Sequence, residues 1–357
     1  MGIKANHRMY LVQVFIYGSL LLASLLLGGC SQSSESHISK ISGPTMGTDY
    51  HISWVSKTHD NVALELEKKT LKQQVDQRLI GINKSMSTYD SQSELSLINH
   101  NFNPHWQNIS VGLYRVLVMA KQVNEQSDKA FDITVGPLVN LWGFGPDKTN
   151  DQIPELSEIN RLLAKVGSDA ISLRAQEGVF QLRLATPRYL DLSAIAKGYA
   201  VDDLGNLLQE QGVDSYLVEV GGEIIAKGFK PENKHWRIAI EAPNDDGRSV
   251  QVIIPLSDMG LATSGDYRNF FEQDGKRFSH TIDGRTGYPV KHNLASVSVL
   301  HESVALADAW ATALTVLGAE KGLEMAETYD LAAYFIVRTH NGYQQLSSHQ
   351  FEKLRLD

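Results

Sequence analysis

Apolar positions recur along this chain with two periods, and the switches between them mark out its elements. Tyr50, Ile52 and Trp54 alternate with Asp49, His51 and Ser53, which predicts a half-buried strand behind the turn-prone stretch 43–48. Leu71, Val75, Leu79 and Ile82 step at helical spacing, so 62–83 reads as an amphipathic helix. The polar break Met86-Ser87-Thr88-Tyr89-Asp90 ends it, and Ser93-Glu94-Leu95 opens the next helix. Leu113, Leu117, Ala120 and Val123 mark another, which stops before Ala130-Phe131-Asp132. Pro154 opens a helix through Leu162, Leu163 and Val166 that Gly167 closes. Strands fit 170–173 and Val179–Leu184, and Asp191-Leu192-Ser193-Ala194 leads into a helix with Lys197-Gly198 in its first turns. Strands over Tyr216–Val220 and 223–226 flank Gly221-Gly222, and further strands fit 236–241, 250–254 and 295–300. Helices over Val304–Leu317 and 321–329, then a hairpin turned at Asn341-Gly342, complete the body. Strands and helices intersperse without strict βαβ alternation, which predicts an α+β fold with mixed β-sheets and packed helices. The loop-like stretch 141–146 marks a seam between two intimate subdomains.

The N-terminus breaks this pattern. Lys4 and Arg8 precede an apolar run over 9–27, followed by Gly28-Gly29-Cys30. A charged region, an apolar region and small residues before a cleavage point predict a secretory signal over 1–29. The single Cys then sits where a bacterial lipobox has its acylated residue, so Cys30 is expected to carry a lipid. A polar, Ser-rich tether over 30–40 would hold the globular domain, 41–350, clear of the membrane. One Cys in 357 residues also rules out an internal disulfide and thiolate metal clusters. The net charge is −8, and it becomes −10 once the first 29 residues, with two cations and no acid, are set aside. Such an acidic body without a basic tract argues against nucleic acid as partner. A phosphate-bearing ligand would need a metal or local donors to offset that field.

Chemistry gathers in the stretch 263–312. Thr263-Ser264-Gly265-Asp266-Tyr267 is followed by a hairpin turned at Asp274-Gly275, whose second strand delivers His280-Thr281-Ile282-Asp283 to a Gly-bounded loop. His280 is either a general base or a structural histidine. Asp308 and Thr312, four apart on a helix, share one face. They either share a hard cation such as Mg²⁺ or are a surface Asp and a back-bonded Thr. In Asp191-Leu192-Ser193-Ala194-Ile195-Ala196-Lys197 an acid, a hydroxyl and a Lys meet at a helix start, which fits phosphate oxygens or a self-capped helix equally. Gly221-Gly222 is a close-approach point or a plain tight turn.

Together these segments resemble the FAD:protein FMN transferase family, the ApbE-type flavin-modifying enzymes. The resemblance rests on Pro44-Thr45-Met46-Gly47-Thr48, Ser87-Thr88-Tyr89, Phe131-Asp132-Ile133-Thr134-Val135-Gly136-Pro137, Asp191-Leu192-Ser193 and Lys197-Gly198-Tyr199. It continues through Gly221-Gly222-Glu223, Thr263-Ser264-Gly265-Asp266-Tyr267, His280-Thr281-Ile282-Asp283, Thr286-Gly287, Asp308-Ala309 and Ala311-Thr312, in the family's order. It implies that Met46, Tyr89, Ala130, Phe131, Asp132, Asp191, Lys197 and Ile282 contact the flavin dinucleotide. Ala194, through its carbonyl, and Asp308 and Thr312 would hold Mg²⁺, and His280 would be the base. The chain departs from some members at Ala311, where they carry an acid, at Gly284, where they carry Pro, and at Lys197, which they lack.

The implied reaction uses FAD as substrate and Mg²⁺ as cofactor. A Thr or Ser hydroxyl of an acceptor flavoprotein takes the FMN moiety and AMP leaves. Acceptors in this family are typically periplasm-facing subunits of membrane redox complexes, such as the sodium-translocating NADH:quinone oxidoreductase and the Rnf type. A lipid-anchored protein on the periplasmic face, at the inner membrane, is the expectation. Two alternatives stand beside it: a Mg²⁺-dependent FAD pyrophosphatase, which would use the same residues, and a flavin-binding lipoprotein without chemistry. A base and a metal site together speak against the last.

Overall fold

Eight strands cross a single sheet in the order in which they occur along the chain. They are seen in a computed structural model that describes residues 37–58, 60–145, 152–243, 249–266, 269–273 and 275–356. The strands are β1 (His37–Thr45), β2 (Thr48–Ser56), β3 (Tyr216–Val220), β4 (Glu223–Lys227), β5 (Met259–Gly265), β6 (Leu294–His301), β7 (Ala332–Thr339) and β8 (Gly342–Ser347). Cys30 and the segment 1–29 expected to be a signal, with Pro146, Tyr267 and Asp274, lie outside the described residues.

Local chemistry explains the tight connections. Met46-Gly47 joins β1 to β2 with φ of 48° and 73°, and Gly221-Gly222 joins β3 to β4 with φ of 58° and 100°. Positive φ at both central residues is what a two-residue hairpin turn asks for. The last hairpin turns one residue earlier than the Asn-Gly pair suggests: Thr339 pairs with Gly342, leaving His340-Asn341 in the turn.

The other connections carry the rest of the molecule. Between β2 and β3 come α1 (Asn61–Met86), α2 (Glu94–His100), α3 (Val111–Gln126), α4 (Gly136–Leu141), α5 (Leu156–Leu163) and α6 (Ala196–Glu210), with a small three-stranded sheet. A hairpin of Trp236–Ala242 with Ser249–Leu256 links β4 to β5. The hairpin Phe270–Gln273 with Lys276–Ser279, expected from Asp274-Gly275, links β5 to β6. A helix pair, α7 (Val304–Leu317) and α8 (Ala319–Thr328), links β6 to β7, and α9 (His349–Leu356) follows β8.

The α+β class is therefore as expected, though the sheets are more uniform than mixed. The ladders of the eight-stranded sheet are all antiparallel. A helix pair returns the chain to the end of the sheet it left, whereas a single crossover helix would have made a parallel neighbour.

Alternation along the strands buries both faces. On β7, Ala333, Phe335 and Val337 join the core under the helices, while Ala332, Tyr334 and Ile336 join a second core under the Trp236–Leu256 hairpin and α9. Beneath the helices, α1 contributes Leu71, Val75, Leu79 and Ile82, each under 7% exposed, which is the face its spacing predicted. A third cluster, with Trp142 and Phe271, occupies the place expected to be a subdomain seam. From His37 onward the chain forms one compact unit.

The boundaries needed correction at both ends. His37–Lys40, expected in the tether, is strand and pairs with Ser53–Ser56, and the body runs on through α9 past residue 350. β1 escaped notice because its fully buried positions are Ser39 and Thr45, so no apolar alternation announces it.

Candidate active site

Two helices cross at the centre of the site, and a glycine lets them. A Cβ on Gly198 of α6 would lie 2.3 Å from the carbonyl oxygen of Val304 at the start of α7, so only Gly fits. The crossing is sealed by exchanged carboxylates. Asp202 of α6 accepts from Val304 N–H (2.8 Å), Ala305 N–H (3.0 Å) and Ser303 Oγ (2.8 Å), at the N-terminus of α7. Asp308 of α7 accepts from Gly198 N–H (3.2 Å), in the first turn of α6. α6 therefore does not begin with a full set of free donors, since Ile195 and Ala196 N–H also donate to Leu192 carbonyl.

Asp308 is the only charged residue of α7, a helix otherwise made of apolar residues and two threonines, and it is 6% exposed. The surface-Asp reading of it is thereby excluded. Lys197 Nζ stands 4.0 Å from Asp308 Oδ1 and forms a close ion pair with Glu223, at the head of β4. Gly221, whose Cβ would sit 2.8 Å from Thr48 and 3.2 Å from Lys197 Cδ, leaves room for that lysine to pass. Burial opposes the charge on Lys197, but Asp308 and Glu223 together hold its pKa above the ordinary lysine value. Burial, with Asp308 nearby, pushes Glu223 up to about 8 in spite of Lys197, and burial likewise raises Asp308. Each ion removed from water costs several kcal/mol. Two carboxyls of raised pKa beside one ammonium share a proton near neutral pH, and a further cation could take that proton's place.

His280 reaches the site on the Phe270–Ser279 hairpin, which is held by stacked rings. Phe144 lies 5.6 Å from Phe271, Phe271 5.0 Å from Phe278, and Phe278 5.7 Å from Trp142, whose Nε1–H donates to Gly287 carbonyl (2.9 Å). The backbone N–H and Nδ1 of His280 both approach Asn269 carbonyl at 3.1 Å. A carbonyl only accepts, so Nδ1 carries the proton and Nε2 of the neutral ring holds the lone pair. Burial lowers the His280 pKa and favours that neutral form. Asp283 is tied to its own turn by Arg285, with Nε and Nη2 each 2.9 Å away.

A cavity of about 380 Å³ unites these groups. It is lined by Tyr89, Ala130, Phe131, Asp132, Asp191, Ala194, Lys197, His280, Ile282, Asp308 and Thr312, which are the expected site residues apart from Met46. Met46 packs instead on the main core from its positive-φ turn. Tyr89 is 73% exposed at the rim. Asp132 is buried, and its carboxylate accepts from Thr134 N–H and Oγ, Ser168 N–H and Oγ and Asn124 Nδ2, so it braces the wall. Asp191 holds Ser193 through N–H (2.9 Å) and Oγ (2.6 Å) and leaves the helix start uncapped by a side chain. Gly221-Gly222 is the tight turn, and its chemical contribution is the adjacent Glu223, which sequence reasoning passed over. The signal available was an acid directly after a Gly-Gly turn.

The residues fit Mg²⁺. Asp308, Thr312 and the Ala194 segment line one cavity and offer hard oxygens, beside the carboxyl of Glu223. On the same helix it is Thr315 that bonds back to a carbonyl, Ala311, at 2.8 Å. Ala311 itself is fully buried in the core, so an acid there would need a different local packing.

Comparison with known proteins gives a consistent match. The ApbE family model matches residues 46–335. The FAD:protein FMN transferase of Haemophilus influenzae is 42% identical over 334 residues, 93% of this chain and 95% of the relative. That of Escherichia coli is 36% identical over 341 residues, 94% and 95% of the two chains. Among solved structures, the flavin transferase ApbE from Vibrio cholerae superposes with a TM-score of 0.80 at 40% identity, covering 89% of this chain and 99% of that one. The apo flavinyl transferase ApbE of Pseudomonas stutzeri gives 0.81 at 39% identity, covering 90% and 97%.

Proposed function

Because the chain belongs to the ApbE family, we infer that it is an FAD:protein FMN transferase. The observation that carries the chemistry is the meeting, in one cavity, of an ammonium between two buried carboxylates with an imidazole of fixed tautomer. The dinucleotide lies along Tyr89, Ala130, Phe131, Asp132, Asp191 and Ile282, with Lys197 toward its pyrophosphate. The oxygen of an acceptor Thr or Ser hydroxyl attacks the flavin-side phosphorus, and its proton passes to Nε2 of His280. The bond from that phosphorus to the oxygen of the AMP phosphate breaks, AMP departs, and FMN stays on the acceptor as a phosphodiester. Ala194 carbonyl, Asp308 and Thr312 would hold Mg²⁺, which supplies charge neutralisation on the phosphate oxygens when bound. Positioning and electrostatics do most of the work in such transfers.

Acceptors of the expected kind are periplasm-facing subunits of the sodium-translocating NADH:quinone oxidoreductase or Rnf type. A lipid on Cys30 would hold the enzyme at the same membrane face. Cys30→Ser should then lose the lipid mass and leave the membrane fraction; an unchanged mass and location would remove the anchor. The activity is tested by incubating the protein with FAD, Mg²⁺ and such a subunit and reading flavin fluorescence on the denatured acceptor. Release of free FMN and AMP without labelled protein would identify a pyrophosphatase instead.

A further inference from the structure

The active-site cavity has a neighbour. A groove of about 540 Å³ is lined by Asp49, His51, Glu219 and Glu241, and shares Glu223 and Thr263 with the cavity. Its walls are built from strand edges. β5 pairs with β6 as far as Gly265–Ser296, but its ladder with β4 ends at Leu261–Ile224, because β4 starts from the Gly221-Gly222 turn. The stretch 262–265 therefore runs past its neighbour. In an antiparallel strand the N–H and C=O groups point alternately to the two sides, so this stretch presents an edge toward the groove. Across the groove stands the strand Trp236–Ala242, through Ala239, Ile240 and Glu241. Its recorded ladder is to Ser249–Leu256 alone among the described residues. Two strand edges facing one groove are suited to an extended polypeptide.

Both hollows carry acids, and what separates them is the cation: Lys197 lines the cavity, whereas the groove is lined by no lysine or arginine among the described residues. Glu219 also fixes the groove's corner, accepting from Gly222 N–H at 2.6 Å and lying 2.7 Å from His51 Nδ1. A pyrophosphate would find no cation side chain there, whereas a polypeptide backbone needs none.

We propose that the groove is the acceptor site: an extended segment of the acceptor protein lies along the edge of β5, and its hydroxyl passes Thr263 and Glu223 to the phosphorus in the cavity. This rests on the transferase reading and adds where the second substrate enters.

Ala239 is exposed and lines only the groove, so Ala239→Trp fills the groove while leaving the cavity lining intact. FAD affinity, Mg²⁺-dependent AMP release without acceptor, and FMN transfer to the flavin-bearing subunit of a sodium-translocating NADH:quinone oxidoreductase are measured together, with Ala239→Ser as control. Transfer kcat/KM for the subunit should fall at least about tenfold, with FAD affinity and acceptor-free AMP release within about twofold of wild type. Amide exchange over 262–265 should slow when the subunit is added to wild type. Weakened FAD binding in Ala239→Trp would assign the groove to the dinucleotide, and unchanged transfer would exclude it as the acceptor's path; either overturns the proposal. A wild type that releases AMP but labels no subunit defeats the transferase reading itself, and the groove's role with it.

Discussion

Asp202 and Asp308 hold comparable places at one helix crossing and do different things. Each sits on one helix and accepts from the first turn of the other, and burial raises the pKa of both. Asp202 accepts three donors and has its capacity taken up by the end of α7. Asp308 accepts one and faces a cavity, with its other oxygen 4.0 Å from Lys197. The same side chain is structural where its lone pairs are satisfied and chemical where they are not. Asp132, with five donors on its carboxylate, falls with Asp202 on this criterion.

The comparison can be broken from the chemical side first. Asp308→Asn should abolish Mg²⁺-dependent turnover, a loss of about three orders of magnitude or more, since a metal contributes several kcal/mol to such a step. Its melting temperature should stay close to wild type at neutral pH, because an amide of the same shape replaces a carboxyl whose charge burial already disfavours. Near-normal turnover at sub-millimolar Mg²⁺ would end the metal assignment.

His280 sharpens the chemical side. His280→Asn should slow transfer by roughly two to four orders of magnitude while FAD still binds. Because burial lowers the His280 pKa, the neutral base persists below the ordinary value, and the acid limb of the rate profile should lie below about pH 6.5. A stable variant with normal turnover, or a wild-type limb above that pH, would disqualify it as the base.

Asp202→Ala tests the structural side. It strips three bonds from the start of α7 and should cost about 1–3 kcal/mol in denaturant unfolding. The kcat of the folded fraction should barely move, and a selective loss of kcat at unchanged stability would erase the distinction between the two aspartates. Gly198→Ala should cost a similar or smaller amount, about 1–3 kcal/mol, because the helices must separate to admit a methyl group. Calorimetry showing no loss would mean that the crossing is looser than its 2.3 Å clearance implies.

Much of this was legible beforehand where local pattern decides. α7 was bounded correctly because Ser303 caps fourteen nearly apolar residues, and the β2 face was read from three alternating large side chains. The cavity brings together the expected residues except Met46, since each came with a recognisable neighbourhood. What stayed hidden depends on partners distant in sequence. Nothing near Asp202 announces that Val304 and Ala305 will donate to it, and nothing near Glu223 announces its burial against Lys197. Met46 is absent from the cavity lining, because a turn residue's side chain goes where the tertiary core leaves room.

The in-order sheet has a consequence for how the chain assembles. All seven of its ladders join strands adjacent in the labelled series, but the one between β2 and β3 pairs Tyr50 with Val220 across the whole helical insertion. Closing a free loop of roughly 160 residues costs only about 4–5 kcal/mol, since the entropy grows with the logarithm of length. The search for that contact is what slows, because long-range pairings form late. The β1–β2 hairpin must therefore wait, with one edge open, until the insertion has folded and brought its ends together, and until Val220 has been delivered. During refolding that waiting edge is where the chain is most open to pairing with the wrong neighbour.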